Sequence, residues 1–440
     1  MKKKIISVLT VLAIIIGTLP LGIMPVFAAS SGTAVASTPA VRSSVTKSGT
    51  FTLTSAARLF IVSDADPTGS DLGTYVQTAS SVFAAKNIPT SSPLTIVYGR
   101  ESAAQAGDIV IKTDSSATGH RGGYVLDISA GGISITADDA EGVLYALTTL
   151  AQTCTSGTVL KCTTVTDWPD VAERSVYLDC GRIYFAPATL KALIRTMAWN
   201  RMNVLYLDFS NNNATRFLLD DMDVTVGGRT YDITTAAPSD GYITQSDMDG
   251  IIDEANRYGV QIIPTFNSPG HIGGIRSVNT SFFRSASASD YDSATGKVAL
   301  NILDQTAYAF GQAVVKLYVD YFASKGCRSF NIAADEVTDA ISGLNSSNST
   351  FVSYVNDLNT YIKSKGMTTR MFNDGYKSIS SGISRDIVIL YWTTESVNAQ
   401  TLIDAGHPVV NLNCHAGLYY AYCSGINSAY VWNQDVDKIY

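Results

Sequence analysis

The run Ser329-Phe330-Asn331-Ile332-Ala333-Ala334-Asp335-Glu336-Val337 places two adjacent carboxylates after a short stretch of small and apolar residues. An apolar run of this length, bounded by polar residues, is typical of a strand that is covered on both faces. A carboxylate that leaves water has to be paired, hydrogen-bonded or used in chemistry. We therefore interpret 329–335 as a buried strand that ends in Asp335 and Glu336. A solvated acidic pair that starts a loop fits this stretch, taken alone, equally well.

Strands and helices alternate along the chain from about residue 166. The predicted strands are 175–179, 203–209, 261–266, 329–335, 368–373, 386–392 and 408–413, and the predicted helices are 187–199, 244–258, 307–324, 351–365 and 399–405. Such alternation indicates right-handed crossovers and a parallel sheet. Strands in series that end in polar or aromatic residues favour the α/β class and a (β/α)8 TIM barrel spanning 166–440.

Two alternatives to a complete barrel stay open. An open doubly wound sheet is less favoured, because no glycine-rich phosphate loop follows the first strand. The residues after Asn413 are too few to hold a last loop, strand and helix comfortably. We therefore expect a barrel that lacks its last strand in this chain, with C-terminal truncation favoured over an unusual closure.

Residues 51–165 precede the barrel and predict a small α+β domain. Its expected strands are 58–62, 94–98, 108–112, 123–128 and 132–137, followed by a helix over 140–153. Turn residues separate the last two strands as a hairpin, and apolar residues recur at helical spacing in the helix. We find no candidate chemistry here, and we expect His120 to be solvated in its loop.

The N-terminus is typical of a secretory signal peptide over 1–28. Lysines at positions 2–4 precede an apolar run, and Val26-Phe27-Ala28 offers small residues where a signal peptidase cuts. An uncleaved anchor is the alternative, although Gly17 and Pro20 interrupt the run. The Ser/Thr/Ala-rich stretch 29–50 is predicted to be a linker. We expect an exported protein, secreted or at the cell surface, with no integral membrane segment after cleavage.

Composition excludes several classes of function. Of 440 residues only 16% are charged and the net charge is −7, without the basic patch that a nucleic-acid partner requires. The six cysteines form no CxxC pair, so a zinc site is not expected. Cys154 and Cys162 flank a short loop and could be bridged in an oxidising compartment. Cys180 and Cys327 are expected to pack as small apolar residues.

The ends of the predicted barrel strands carry carboxylates, aromatic rings, amides and a guanidinium group. The candidate residues are Arg182, Asn211, His271, Asp335, Glu336, Asp374, Trp392, Tyr419 and Tyr420. Aromatic faces stack on pyranose rings, polar groups bind hydroxyls, and paired carboxylates suggest cleavage of a glycosidic bond. A salt bridge between Arg182 and Asp179, and a structural role for His271, are the alternatives for those two residues.

Several of these motifs, in this order, resemble the family 20 glycoside hydrolases, the β-N-acetylhexosaminidases, in particular their dispersin-like and lacto-N-biosidase-like branch. The stretches that carry the resemblance are 132–151, Asp179-Cys180-Gly181-Arg182, Arg201-Met202-Asn203-Val204-Leu205, Ser268-Pro269-Gly270-His271 and Ala334-Asp335-Glu336-Val337. The resemblance covers most of the chain after the signal peptide and implies a barrel behind a small α+β domain.

The resemblance implies substrate-assisted retaining catalysis, in which the 2-acetamido oxygen of the sugar attacks the anomeric carbon and forms an oxazolinium ion. It implies that Asp335 holds the acetamido nitrogen and that Glu336 protonates the leaving oxygen and then activates water. This requires an ionised Asp335 and a protonated Glu336 near neutral pH. Tyr419 would bind the acetamido oxygen, with Tyr420 as the alternative.

The other implied roles concern substrate binding. Arg182 would bind ring hydroxyls, His271 would tune Glu336, and Trp392 would wall the pocket. The implied partner is a glycan that carries terminal β-linked N-acetylhexosamine, and no metal or cofactor is needed. Release of a Gal-GlcNAc disaccharide, a catalytically impaired sugar-binding homologue and a structural surface protein remain as alternative functions.

The sequence departs from the family pattern at several positions. Asn331 stands where His is usual, Ala333-Ala334 where Gly-Gly is usual, and Phe372 where Trp is common. Asn211 stands where Asp is usual, which weakens a relay from a carboxylate to His271. A carboxylate that often follows the acetamido-binding tyrosine is absent near Ala421.

Overall fold

The computed structural model describes residues 33–62, 71–287, 289, 297–394 and 396–412. The chain divides into two compact units between Ala172 and Glu173. The predicted signal peptide, Tyr419, Tyr420 and any strand after 412 lie outside the described residues. Within those residues, no helix combines the length and apolarity that crossing a bilayer requires.

The described residues of the first unit form a sheet with two helices. Its elements are β1 (Ser43–Thr52), β2 (Arg58–Val62), α1 (Leu72–Ala85), β3 (Thr95–Gly99), β4 (Ile109–Thr113), β5 (Tyr124–Ser129), β6 (Gly132–Ala137), α2 (Ala140–Cys154) and β7 (Val159–Asp167). The sheet has the order β1-β7-β5-β6-β4-β2-β3. Asp139 caps the N-terminus of α2, since its side chain accepts the backbone N–H of Gly142. The predicted mixture of strands and helix is confirmed, but β1, β7 and α1 were not predicted.

The predicted linker over 29–50 is wrong from at least Ser43 onward. Strand β1 pairs antiparallel with β7, from Ser43 opposite Thr166 to Thr52 opposite Val159. It is an edge strand, and all of its side chains except that of Phe51 are exposed. Edge exposure permits the polar Ser/Thr composition that resembles a linker, because backbone pairing rather than side-chain burial holds the strand. Strand β7 also moves the unit boundary from residue 165 to beyond Asp167.

The cysteines of the described residues are free thiols, so the bridge considered between Cys154 and Cys162 is not formed. Burial raises the pKa of the Cys154 thiol to about 12, which keeps it protonated and unreactive. Cys180 is buried in the apolar core, as expected. The exposed ring of His120 stacks on Trp168 with 4.4 Å between centroids.

The second unit alternates strands and helices. Its strands are β8 (Ser175–Asp179), β9 (Val204–Ser210), β10 (Asp223–Val226), β11 (Arg229–Asp232), β12 (Gln261–Phe266), β13 (Phe283–Ser285), β14 (Val298–Leu300), β15 (Ser329–Asn331), β16 (Thr368–Phe372), β17 (Val388–Tyr391) and β18 (Val409–Asn411). Its helices are α3 (Pro187–Trp199), α4 (Gln245–Arg257), α5 (Gln305–Ser324), α6 (Val337–Ala340), α7 (Ser349–Ser364) and α8 (Ala399–Asp404).

Seven of these strands form one parallel sheet in the order β8-β9-β12-β15-β16-β17-β18. The spatial order follows the chain order, as in a (β/α) barrel, whereas an open doubly wound sheet reverses direction at its switch point. The described residues therefore contain seven barrel strands and exclude the doubly wound alternative. Parallel strands end at the same rim, and four of these strands lead to the predicted site residues His271, Asp335, Glu336, Asp374 and Trp392.

Strand β9 shows how the sheet separates two layers. Leu205, Leu207 and Phe209 pack into the large core shared with the helices, whereas Val204 and Tyr206 join a smaller interior cluster. Side chains alternate between the faces of a strand, so Asp208 lies on the interior face near its carboxyl end. The alternation thus brings a buried carboxylate toward the mouth of the barrel.

The strand predicted over 329–335 is wrong in its second half, since β15 ends at Asn331. The Asn331 side chain accepts the N–H of Ala333 at 3.0 Å and donates to Oγ1 of Thr265 at 3.1 Å. This local hydrogen bond takes the N–H of Ala333 out of the ladder, although Ile332 and Ala333 still form backbone hydrogen bonds with Arg370 and Phe372. Ala333 and Ala334 then adopt the left-handed conformation, with φ of 57° and 56°. Asp335 and Glu336 therefore belong to a turn above the strand.

A close backbone contact fixes this turn. A Cβ on Gly270 would lie 2.1 Å from the carbonyl oxygen of Asp335. Only glycine permits such an approach. The contact explains why a glycine precedes His271 and joins the loop after β12 to the turn after β15.

We expect Gly270→Ala to destabilise the full chain by about 1–3 kcal/mol, because the added methyl group forces the two loops apart. A lower midpoint of thermal unfolding would show this. Gly131→Ala is the matched control, since a Cβ there meets nothing within 4 Å. An unchanged midpoint for Gly270→Ala would contradict the inferred contact.

Candidate active site

Glu336 is held through both its backbone and its side chain. It has a left-handed φ of 47°, and its N–H donates to Oδ2 of Asp374 at 2.6 Å. Oε2 lies 2.7 Å from Nε2 of His271, and Oε1 lies 3.1 Å from Nζ of Lys297. Side chains from three loops therefore hold Glu336, two through its carboxylate and one through its backbone.

These partners decide the charge of Glu336. Burial favours the neutral acid, but the hydrogen bond and charge of His271, together with Lys297, outweigh it and lower the pKa of Glu336 to about 2. The resemblance implied the reverse, a protonated Glu336 and an ionised Asp335 near neutral pH, whereas burial raises the pKa of Asp335. The cause of the difference is the ammonium group of Lys297 and the N–H of His271, which both favour the carboxylate form.

His271 is oriented by Asn212. Oδ1 of Asn212 faces the backbone N–H groups of Val298, at 3.3 Å, and Gly273, at 3.4 Å. Its amide nitrogen therefore faces Nδ1 of His271, 3.0 Å away, and donates to it. In the neutral ring Nδ1 is the acceptor and Nε2 carries the hydrogen that is donated to Glu336.

The charge of His271 reflects opposing influences. Burial favours the neutral ring, but Asp335 and Glu336 outweigh it and raise the pKa of His271. Protonation would place a second N–H on Nδ1 against the amide group of Asn212. Asn212 therefore opposes the charge that the carboxylates favour.

The residue that contacts His271 is Asn212 rather than the predicted Asn211. Asn211 donates its backbone N–H to Ala214 at 2.9 Å, and its amide donates to Oδ2 of Asp179 at 3.2 Å. Its Oδ1 accepts the N–H of Asn212 at 2.8 Å. This turn directs Asn211 toward the end of β8 and Asn212 toward His271.

Asp335 differs from Glu336 in its surroundings. Its Oδ1 is buried and lacks a hydrogen-bond partner among the described residues, and its Oδ2 lies 3.9 Å from Nε2 of His271. Burial outweighs the attraction to His271 and raises the pKa of Asp335, and the charge of Glu336 adds to this effect. A buried acceptor without a donor is costly, so Asp335 is suited to bind an N–H group of a ligand.

Asp374 and Trp392 are joined at the ends of β16 and β17. Nε1 of Trp392 donates to Oδ1 of Asp374 at 3.0 Å. Burial, with the nearby charge of Asp335, raises the pKa of Asp374 to about 7. The half-buried ring of Trp392 meets Phe372 edge-on, with 6.4 Å between centroids. Trp392 and Phe372 thus form an aromatic pair beside Asp374, the residue that binds the backbone N–H of Glu336.

Arg182 lies beside Asp179, with which it forms the salt bridge considered as an alternative. Its backbone N–H also donates to Oδ1 of Asp179 at 2.9 Å. Asp208 accepts hydrogen bonds from Tyr177 and Asn267, each at 2.9 Å. Burial and the charge of Asp179 raise the pKa of Asp208 well above its usual range.

The geometry of the cluster opposes metal ligation. One donor atom each of His271, Asp335 and Glu336 lies within 4.8 Å of the others. A neutral histidine that binds a metal through Nε2 carries its hydrogen on Nδ1 and needs an acceptor there. Asn212 presents a donor instead. The three groups are better suited to proton transfer than to holding an ion.

The structure brings together His271, Asp335, Glu336, Asp374 and Trp392. It places Arg182 and Asn211 around Asp179, while Tyr419 and Tyr420 lie outside the described residues. Sequence reasoning missed Asn212, Lys297, Asp208 and also Asp339, whose Oδ2 lies 2.5 Å from Nζ of Lys297. Asn212 is next to a predicted residue and Asp208 ends a predicted strand, so both had a signal in the strand pattern. Lys297 and Asp339 had none.

We expect Asn212→Asp to raise the pKa of His271 further, because a carboxylate would accept the Nδ1 hydrogen. The measurement is a pH titration of histidine ring nitrogens by NMR, which also reports the tautomer. The wild type should show Nδ1 unprotonated in the neutral ring. Asn359→Asp, at another buried amide, is the control. A neutral ring with the hydrogen on Nδ1 would contradict the proposed role of Asn212.

Comparisons with known proteins agree with this architecture. The chain is 25% identical over 387 residues to a lacto-N-biosidase of Bifidobacterium bifidum, covering 82% of this chain and 32% of that protein. It is 23% identical over 256 residues to a β-hexosaminidase of Vibrio vulnificus, covering 54% of this chain and 30% of that protein. The chain thus spans about a third of the length of these curated relatives.

Two solved structures share the fold. A β-N-acetylhexosaminidase of Bacteroides fragilis superposes with a TM-score of 0.67 at 17% identity, covering 90% of this chain and 78% of that one. A chitobiase of Flavobacterium johnsoniae gives 0.66 at 18% identity, covering 89% and 63%. These likenesses confirm the predicted fold class, a TIM-barrel domain preceded by a smaller domain.

Two family models match the chain, one for each unit. Domain 2 of glycosyl hydrolase family 20 matches residues 35–168. The catalytic domain of the same family matches residues 172–435, which is more than half of the chain. The chain therefore belongs to glycosyl hydrolase family 20.

Proposed function

We propose that this chain is a glycoside hydrolase that cleaves terminal β-linked N-acetylhexosamine by substrate-assisted retaining catalysis. The observation that carries the proposal is that the two adjacent carboxylates have different hydrogen-bond and ion-pair partners. Asp335 has a buried oxygen without a donor among the described residues, while Glu336 is held by His271 and Lys297. One carboxylate is suited to hold an N–H group and the other to exchange a proton.

The proposed reaction has two steps. In the first, the acetamido oxygen of the substrate attacks the anomeric carbon, the bond to the leaving oxygen breaks, and Glu336 gives its proton to that oxygen. Oδ1 of Asp335 accepts the acetamido N–H and stabilises the positive charge of the oxazolinium ion. In the second, Glu336 takes a proton from water as the water attacks the anomeric carbon, and the bond from that carbon to the acetamido oxygen breaks, which restores the acetamido group.

The surrounding residues support a pyranose in this position. The N–H of Trp392 is bound to Asp374, which in turn accepts the backbone N–H of Glu336, so the aromatic ring is tied to the proposed acid. The guanidinium group of Arg182 suits sugar hydroxyls. Tyr419, with Tyr420 as the alternative, is proposed to bind the acetamido oxygen. We propose a glycan as the partner and no metal or cofactor, because the donor set favours proton transfer.

A second candidate activity is release of a disaccharide that ends in N-acetylhexosamine. The likeness to a lacto-N-biosidase over 82% of this chain favours it. The chemistry at Asp335 and Glu336 would be the same, and the difference would lie in the space beyond the outer hydroxyls. The remaining candidate is a catalytically impaired sugar-binding protein, because Asn331 and Asn211 differ from the residues that are usual in the family.

We also propose that the protein is exported, from the charged and apolar pattern of residues 1–28. Mass spectrometry of the protein from culture medium tests this. A mature N-terminus at Ala29 is expected, and an intact N-terminus on cell-bound protein would contradict cleavage.

We expect turnover of 4-nitrophenyl β-N-acetylglucosaminide or β-N-acetylgalactosaminide, or of the matching lacto-N-bioside. Glu336→Gln should lower kcat/KM for substrates with poor leaving groups by about 10²–10⁴-fold, because proton transfer is lost. Glu101→Gln, at an exposed ion pair with Lys112, is the control. Binding without turnover of any of these substrates would support the sugar-binding alternative instead.

We expect Asp335→Asn to lower kcat by about 10²–10³-fold, because an amide cannot stabilise the oxazolinium charge as a carboxylate does. A thiazoline analogue of the oxazolinium ion should inhibit the wild type and bind the variant weakly. The measurements are steady-state kinetics and inhibition constants. An enzyme that hydrolyses its substrate but ignores the thiazoline would contradict substrate assistance.

A further inference from the structure

We propose that Lys297 is a positioning residue that pairs with Oε1 of Glu336 before substrate binds and turns to Asp339 when the leaving group arrives. The proposal rests on the proposed hydrolase function, and it assigns the proton-transfer step to a definite oxygen of Glu336. It also identifies the Lys297–Asp339 pair as the edge of the leaving-group subsite.

The two oxygens of Glu336 have different neighbours. Oε2 lies against His271, which is 4% exposed, so this oxygen is turned into the protein. Oε1 lies against Lys297, which is 37% exposed, so this oxygen is turned toward the open side of the cluster. A leaving group that enters from solvent therefore meets Oε1, the oxygen that Nζ of Lys297 contacts.

Lys297 has two partners. Its Nζ lies 3.1 Å from Oε1 of Glu336 and 2.5 Å from Oδ2 of Asp339. Asp339 lies three residues after Glu336 within the short α6 and is 45% exposed. Residues at this spacing face the same side of a turn. Lys297 can therefore leave Glu336 while it keeps one ion pair.

The backbone next to Lys297 is fixed to the same network. Val298, the first residue of β14, donates its N–H to Oδ1 of Asn212, the residue that orients His271. The position of Lys297 is thereby tied to that of His271. Lysine side chains have several rotatable bonds, so the ammonium group can move while this backbone stays in place.

The charge balance makes this movement necessary. The charged groups that face Glu336 within the described part of the chain are His271, Lys297, Asp335, Asp339 and Asp374. Burial favours the neutral amine of Lys297, but Asp339 and Glu336 outweigh it and raise its pKa, so Lys297 stays charged. A charged lysine at Oε1 opposes the protonated Glu336 that must donate to a leaving oxygen.

The reaction then needs opposite states of Glu336 in its two steps. Transfer to the leaving group requires the acid, and activation of water requires the carboxylate. A neutral leaving-group oxygen at Oε1 displaces Lys297 to Asp339, and Glu336 then takes up a proton from solvent and becomes the acid. After the leaving group departs, Lys297 can return and favour the carboxylate. The aglycone itself thus selects the form of Glu336 that each step uses.

The test uses two variants with opposite expected effects on the pH dependence of kcat/KM. Lys297→Met should move the alkaline limb up by roughly one pH unit, because the opposing charge is gone. Asp339→Asn should move it down, because Lys297 then has only Glu336 as a partner. Both are measured in the full chain with methyl and 4-nitrophenyl β-N-acetylglucosaminides. The change in kcat/KM should be larger for the methyl glycoside than for the 4-nitrophenyl glycoside, because only the poor leaving group needs a proton from Glu336.

Conservative and matched variants complete the test. Lys297→Arg keeps the positive charge, so the alkaline limb of its kcat/KM profile should lie at the wild-type pH. Lys325→Met removes a lysine of similar exposure, 34%, from an ion pair with Asp249 and should shift nothing. A limb that Lys297→Met leaves unmoved, or two variants that shift it the same way, would overturn the proposal. Absence of wild-type turnover would instead reject the hydrolase function.

Discussion

The hydrogen bond between His271 and Glu336 depends on how two neighbouring barrel strands end. The loop after β12 carries Gly270 and His271, and the turn after β15 carries Asp335 and Glu336. The two segments touch backbone to backbone, since a Cβ on Gly270 would collide with the Asp335 carbonyl. This contact sets the 2.7 Å distance from Nε2 to Oε2. The parallel sheet brings the strand ends to a common rim, but only the close approach of the two loops brings His271 and Glu336 within hydrogen-bond distance.

The turn after β15 also gives the two carboxylates different environments. Asn331 ends the strand by capturing the N–H of Ala333, and the following left-handed residues turn the chain. Side chains that follow each other on a strand point to opposite faces, so a continued strand would have separated Asp335 from Glu336. In the turn both reach His271, one at 3.9 Å and the other at 2.7 Å. Unequal distances to one imidazole help to separate their charges.

The sequence could predict what local patterns determine. The bounds of β8, β12 and α3 agree with the prediction, because apolar periodicity and turn residues mark them. The early end of β15 depends on a contact from Asn331 to Thr265 across the sheet, which periodicity does not contain. Strand β1 has exposed polar side chains and is defined by its partner β7. Lys297 and Asp339 meet Glu336 through tertiary contacts alone.

The same contrast explains why the pKa of Glu336 is lowered, whereas the sequence resemblance implied a protonated Glu336 near neutral pH. Two adjacent carboxylates, considered alone, raise the pKa of one of them. In the fold, His271 is buried against both and Lys297 reaches the outer oxygen of Glu336. Two nearby cationic or donor groups outweigh one like charge and the cost of burial. The site without substrate is thus prepared as a base. An acid has to be made in it, and the substrate is the component whose arrival changes the surroundings of Oε1.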